Sequence, residues 1–228
     1  MKTSARKLGP DCVGELHLVA GGKEVACEVP VIGWEASGLA FPGLRKRRAT
    51  DLVTGHWTGG DGGAAQVHDT LTKAKVSVHF LIEPDGTAYQ YCDADMLCAH
   101  AEGMNTRAVG IEMVNAAGDE ARPGRQLLKE TIRGVERVYT SFTAAQMHSW
   151  LALTKALTTH YGLPYDVPRT ASGDVDPDEL SAEALAAFRG VLGHYHWSPV
   201  KKKQDCGIAP LRAIAALQTG RRPVGPAE

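Results

Sequence analysis

Five of the nine histidines in this chain, His56, His79, His100, His194 and His196, fall on or beside segments whose patterning predicts β-strands. Imidazole is a preferred zinc ligand, and a catalytic zinc site takes three protein ligands from imidazole, carboxylate or thiolate while leaving a further position for water. His56 stands in Gly55-His56-Trp57-Thr58-Gly59-Gly60, where a strand gives way to a glycine-rich loop and an imidazole can face a cleft. The segment Gly193 to Gly207 gathers His194, His196, Lys201, Lys202, Lys203, Asp205 and Cys206. On an extended strand His194 and His196 share a face, because side chains alternate with period two. The Ser198-Pro199 turn lets the chain double back, so that Asp205 or Cys206 approaches the same ion. The HExxH pattern and any CxxC pair are absent, which excludes helix-borne zinc-protease chemistry and zinc ribbons or fingers. Glu112 interrupts the apolar run Val109-Gly110-Ile111-Glu112-Met113-Val114. Burying a carboxylate there is costly unless it has a partner, such as a salt bridge, or a task, such as general-base catalysis.

The elements that must position these groups are readable from turn and capping signals. Residues 14–30 carry two short apolar runs around Gly21-Gly22, a hairpin signal that predicts a decoration on the domain. The basic run Arg45-Lys46-Arg47-Arg48 lies in a Gly- and Pro-containing connection and reads as a solvated face. Leu52-Val53-Thr54 leads into His56 as a strand, Gln66 to Lys75 is helix-compatible, and Val76 to Glu83 turns through Pro84-Asp85-Gly86 into Thr87 to Tyr91 as a hairpin. Ala108 to Asn115 predicts a buried strand. Thr143 with Gln146 forms a capping box that opens a helix to His160, stopped by Gly162 and Pro164. Residues 166–185 are acidic and turn-rich, Val191 to Trp197 predicts the last strand, and Pro210 opens a helix to about Gln218. The order predicts one α/β layered domain, a central mixed β-sheet flanked by helices, with an N-terminal β-hairpin extension. The expected division is an extension over 1–49, the domain over 50–220 and a tail over 221–228.

Composition narrows the function classes. Of the 228 residues, 43% are hydrophobic and 22% charged, which excludes disordered, collagen-like and coiled-coil chains. A formal charge of −1 lacks the basic footprint of a nucleic-acid binder. No apolar run is long enough to span a membrane, and residues 1–11 are basic without the apolar core of a signal peptide. The expectation is cytoplasmic synthesis, with any release to the cell wall left to a holin or to lysis. Five cysteines, an odd number without small-scaffold spacing, predict reduced thiols.

The set HWTGG at 56–60, SVHFLIEPDGTAYQY at 77–91, AHA at 99–101, VGIEMVN at 109–115 and GHYHWSPVKKKQDCG at 193–207 resembles the type 2 N-acetylmuramoyl-L-alanine amidases. These include amidase-type phage lysozymes, anhydromuropeptide amidases and peptidoglycan recognition proteins. The resemblance covers about residues 50 to 218 in the family's order. It implies a zinc cofactor held by His56, His194 and Asp205, the last because the family's carboxylate stands two residues after a lysine and two before a glycine. Cys206 is the rival, but it fills the proline slot of the Asp-Pro-Gly pattern. One extra residue lies between His194 and Lys203 relative to the carboxylate-type members. Glu112 matches the glutamate that acts as general base, and Lys203 the lysine that stabilises the developing oxyanion. His79 and His100 are implied to line the site or touch substrate, and His196 to support His194 or touch substrate. His17, His68, His148 and His160 lie outside every motif. The implied substrate is peptidoglycan or a muropeptide, cut between N-acetylmuramic acid and L-alanine; the charge and hydropathy predict no nucleic-acid or membrane partner, and the sequence leaves the oligomeric state open, with a monomer favoured. A phage-type endolysin is the expected setting, with a cytosolic anhydromuropeptide-recycling amidase or a non-catalytic peptidoglycan-binding module as alternatives.

Overall fold

The computed structural model describes residues 14–47, 49–116, 118, 122–197 and 204–219. In chain order the strands are β1 (Glu15–Ala20), β2 (Lys23–Ile32), β3 (Leu52–Gly59), β4 (Phe80–Ile82), β5 (Ala88–Gln90), β6 (Ala108–Ala116), β7 (Leu127–Ile132), β8 (Val135–Thr140) and β9 (Gly190–Gly193). The helices are α1 (Trp34–Ser37), α2 (Ala64–Lys73), α3 (Ala144–His160), α4 (Ala182–Ala187) and α5 (Ala209–Gln218). Seven strands form one mixed sheet in the order β1-β2-β5-β4-β6-β3-β9, and β7 and β8 form a separate antiparallel pair. The central four, β4, β6, β3 and β9, run parallel to one another. This is the expected α/β domain with a mixed sheet flanked by helices.

The sheet presents two chemically different faces. Along β3 and β6, Val53, Trp57, Val109, Ile111 and Met113 join Trp150, Leu153 and Leu157 of α3 and Ile214 of α5 in the main core. Burying those side chains, at roughly 1.5–3 kcal/mol each, drives the packing. The opposite face holds two smaller clusters. Val114, Leu81 and Tyr91 pack with Val67 of α2, and Leu52, Ala108 and Leu192 pack with Ala101 and Trp197. Between them, the strand alternation leaves His56 and Glu112, which are direct partners in the β3–β6 register.

The hairpin of β1 and β2 forms at Gly21-Gly22, both with positive φ, but it is no decoration. Val31 and Ile32 of β2 pair in parallel with Ala88 and Tyr89 of β5, so the hairpin is the outer edge of the sheet. Asp93 accepts hydrogen bonds from Gly21 N (2.8 Å) and Gly22 N (2.6 Å) and ties down its tip. Local turn chemistry predicts such a hairpin; its partner strand lies too far along the chain to be read from that turn. The capping box of α3 is as expected, with Thr143 Oγ1 accepting from Gln146 N at 3.0 Å and Gln146 Oε1 accepting from Thr143 N at 3.2 Å. Pro210 stands in the first turn of α5. The last strand is shorter than expected. β9 ends at Gly193, and residues His194–His196 form one turn of 3₁₀-helix.

Candidate active site

A cavity of about 460 Å³ opens where β3, β6 and the end of β9 meet, lined among others by His56, Thr58, His100, Glu112, His194 and Asp205. Its wall reaches the exposed residues Val76 and Glu102. His56 arrives from the middle of β3, and Glu112 arrives beside it from β6. His194 leaves the end of β9 and stacks on Trp197, ring centroids 5.0 Å apart. Asp205 is delivered by the returning loop, whose backbone is held where Tyr195 N donates to Asp205 O at 3.1 Å. The result is a buried group in which Asp205 Oδ2 lies 3.2 Å from His56 Nδ1 and 3.0 Å from His194 Nδ1.

The hydrogen-bond network around His56 tests whether this group suits a metal. His100 is half-buried at the cavity wall, and desolvation, followed by the neighbouring His56 and His79, holds its pKa well below the ordinary imidazole value. Neutral His100 donates from Nε2 to Ala108 O (3.1 Å) and so accepts at Nδ1 from His56 Nε2 (3.0 Å). That tautomer leaves the His56 lone pair on Nδ1, facing the Asp205 oxygen. Two electron-rich atoms at that distance require a cation between them, and the two-nitrogen, one-oxygen donor set fits zinc. Burial raises the Asp205 carboxyl, but the His194 and His56 imidazoles set against it outweigh burial and hold it well below the usual carboxylate range.

Cys206 faces the other way. It belongs to the main core, its thiol pushed well up by burial, against the point on Gly55 where a Cβ would stand 2.5 Å from its sulfur and 2.8 Å from Trp150. Glycine at 55 therefore makes room for the loop behind His56. Gly110 serves similarly on β6, where a Cβ would lie 2.7 Å from the His100 ring.

Of the three further histidines expected near substrate, only His100 lines the cavity. His79 is fully buried beneath it, accepting from Gly110 N at Nδ1 (3.0 Å) and donating from Nε2 to Met96 O (2.8 Å). His196 is likewise internal. Because the strand stops at Gly193, the 3₁₀ turn rotates His196 off the His194 face; it accepts from Gly193 N (3.0 Å) and donates to Asp176 O (3.1 Å). Lys203 lies outside the described residues. Glu112 is half-buried at the cavity wall, not sealed within its strand.

Two supports were not anticipated from the sequence. Glu130 of β7 accepts from Tyr139 Oη of β8, from Ile208 N at 2.8 Å and from Arg212 Nη1 at 3.0 Å, fastening the start of α5 directly after the Asp205 loop. The missed β7–β8 hairpin had a readable signal in Arg133-Gly134, both residues having positive φ between two alternating runs. Arg47, expected in a solvated face, is 5% exposed and bonded to Ala94, Met96 and Ala108 carbonyls.

The profile of the N-acetylmuramoyl-L-alanine amidases matches residues 46–208. No characterised protein is significantly similar to the chain by sequence alone. Among solved structures, the endolysin N-acetylmuramoyl-L-alanine amidase LysCS from Clostridium intestinale URNW is similar with a TM-score of 0.51 and 18% identity, over 79% of this chain and 90% of that one. N-acetylmuramoyl-L-alanine amidase LysC from the same organism matches with 0.51 and 18%, over 79% and 91%. AmiD of E. coli, solved with anhydro-N-acetylmuramic acid-L-Ala-D-gamma-Glu-L-Lys, gives 0.48 and 18%, over 91% and 66%. At such identities the likeness is one of fold. Because the matched span takes in β3, β6 and β9 and every residue of the buried His-His-Asp group, the chain belongs to the N-acetylmuramoyl-L-alanine amidase family.

Proposed function

We propose that this chain is a zinc-dependent amidase that hydrolyses the bond between the lactyl group of N-acetylmuramic acid and the L-alanine of the stem peptide in peptidoglycan. The observation that carries the reading is the convergence of His56, His194 and Asp205 beside Glu112 in one open cavity of an amidase-family chain. When bound by those three residues, zinc supplies Lewis acidity that polarises the scissile carbonyl and makes water easier to deprotonate. His100 and Ala108 O keep the His56 lone pair aimed at the ion. Glu112 takes the proton from the attacking water at its carboxylate and delivers it to the amide nitrogen as that nitrogen leaves. Lys203 is assigned to the charge that develops on the carbonyl oxygen, a role in which a fixed ammonium favours the transition state over the ground state.

The cavity wall includes the exposed Val76 and Glu102, so the cavity opens to the surface, and an open mouth of this kind supports a lytic, endolysin-type role on a polymeric substrate. Intact sacculi and soluble anhydromuropeptide assayed side by side decide that point. Release of stem peptides from sacculi is expected; hydrolysis of the soluble substrate alone would assign the chain to recycling. Glu112→Gln is expected to retain zinc and substrate while lowering turnover by about 10²–10⁴-fold. Unchanged turnover, with zinc bound, would remove Glu112 from the mechanism.

A further inference from the structure

Behind the cavity wall, a second buried cluster joins Cys92, Cys98 and His79. The two sulfurs are 3.3 Å apart, both residues are almost wholly buried, and neither takes part in the amidase mechanism. A metal is one occupant to weigh, but His79 already uses both ring nitrogens, accepting from Gly110 N and donating to Met96 O. It has no lone pair to offer. The guanidinium of Arg47 also sits in this cluster, 3.1 Å from the His79 ring, and a fixed cation opposes a second one.

Arg47 points to the opposite requirement. It is a buried cation whose hydrogen bonds go to Thr50 Oγ1 and to the carbonyls of Ala94, Met96 and Ala108, none of them a carboxylate. A buried charge calls for a counter-charge. Asp95 supplies one through space, and Cys98 lies close enough to supply a second. Its sulfur faces the Cys92 thiol at 3.3 Å, and Ser77 Oγ, which accepts from Ala99 N at 2.9 Å, keeps its own proton to donate to it. These donors, Cys92 first, outweigh burial and lower the Cys98 thiol, while the Cys92 thiol is raised by its bond to Cys98 and by burial. A thiolate beside a protonated thiol is the arrangement that reacts with an oxidant and is then resolved.

We propose that Cys92 and Cys98 form a peroxide-sensitive, reversible disulfide in the wall behind the active site. The Cys98 thiolate attacks one oxygen of hydrogen peroxide, the O–O bond breaks, and the departing hydroxide is protonated to water, leaving a sulfenic acid. The Cys92 sulfur then attacks Cys98, the S–S bond forms, and hydroxide leaves with the Cys92 proton as a second water. Two electrons pass from the sulfurs to peroxide, and a dithiol reductant reverses the change. Peroxide is small enough to reach sulfurs that larger disulfides cannot. Cys98 immediately precedes Ala99, His100 and Ala101, which line the cavity, so the state of the pair bears on the wall that orients His56.

The test exposes the reduced, zinc-loaded full chain to hydrogen peroxide, traps remaining thiols under denaturing conditions and maps the peptides by mass. A Cys92–Cys98 cross-link that dithiothreitol removes is expected, with Cys27 and Cys206, buried free thiols of the same chain, left unmodified. Cys92→Ser is expected to trap Cys98 as a sulfenic acid that reacts with dimedone. Arg47→Lys, which keeps a charge but loses the planar fork, is expected to slow Cys98 oxidation by about tenfold or more. Oxidation of Cys98 no faster than that of Cys27 and Cys206 would overturn the proposal. So would a second zinc equivalent per chain that disappears in Cys92→Ser, since it would make the cluster a metal site.

Discussion

At the scale of single residues, adjacent side chains in this chain have opposite fates. Asp205 meets two imidazoles, while Cys206, one bond further on, is packed against Gly55 and Trp150. Asp205→Ala is therefore expected to abolish stoichiometric zinc binding. Cys206→Ser is expected to retain zinc and to lose about 1–3 kcal/mol of stability, because its hydroxyl enters an apolar site without a designed partner. Metal analysis and urea unfolding of both variants check this, and loss of zinc from Cys206→Ser alone would exchange their roles. His196 gives a pH prediction. Burial pushes its pKa down to about 4, against about 6.5 for an unfolded histidine. Between those values the unfolded chain binds a proton that the folded one refuses, so stability is complete above the upper value and falls as the pH drops. From about pH 7 to about pH 5 the loss is about 2 kcal/mol. Unfolding measured at both pH values is expected to show a smaller loss for His196→Gln than for the unaltered chain.

At the scale of elements, the ligand set depends on where β9 stops and on what holds the returning loop. The short β7–β8 hairpin contributes nothing to the cavity lining, yet Glu130 and Tyr139 anchor the beginning of α5 just after Asp205. Gly207 adopts φ 75°, and a Cβ there would stand 2.4 Å from Tyr139 Oη, so loop and hairpin are fitted to each other. Tyr139→Phe leaves the buried Glu130 with one donor fewer and is expected to cost about 1–3 kcal/mol. Zinc affinity is expected to fall with it, because the Asp205 loop loses its brace. Titration with a zinc chelator and thermal melting separate the two effects, and a variant that melts lower with unaltered zinc affinity would confine the hairpin to stability.

At the scale of the whole molecule, the sheet extends beyond the family's matched span. That span begins at residue 46, whereas β1 and β2 place Leu18, Val29 and Val31 in the main core, with α3 packed on β2. Removing residues 1–45 deletes several buried apolar side chains at roughly 1.5–3 kcal/mol each, comparable with a typical domain's whole stability of about 5–15 kcal/mol. The truncated chain is expected to lose cooperative melting. Retention of the full-length melting temperature would show that the hairpin is dispensable for folding.

Much of this was legible in the residues themselves. The strand bearing His56, the Glu112 strand, the Phe80–Gln90 hairpin, the capped helix at Thr143 and the helix at Pro210 are announced by local chemistry: alternation, turn glycines, a capping box and a first-turn proline. The motif order carried the amidase reading, and His56, His194 and Asp205 are brought together as that reading implies. Tertiary structure alone decided the rest. Whether Asp205 or Cys206 turns toward the imidazoles, whether His196 shares the His194 face, and whether the Gly21-Gly22 hairpin joins the sheet depend on contacts between residues far apart in sequence. So does the burial of Arg47 beside two cysteines, which as part of a basic run it gave no sign of. A local pattern specifies a conformation, but the face a side chain shows is set by where its strand ends and by which distant strand or loop competes for the same space.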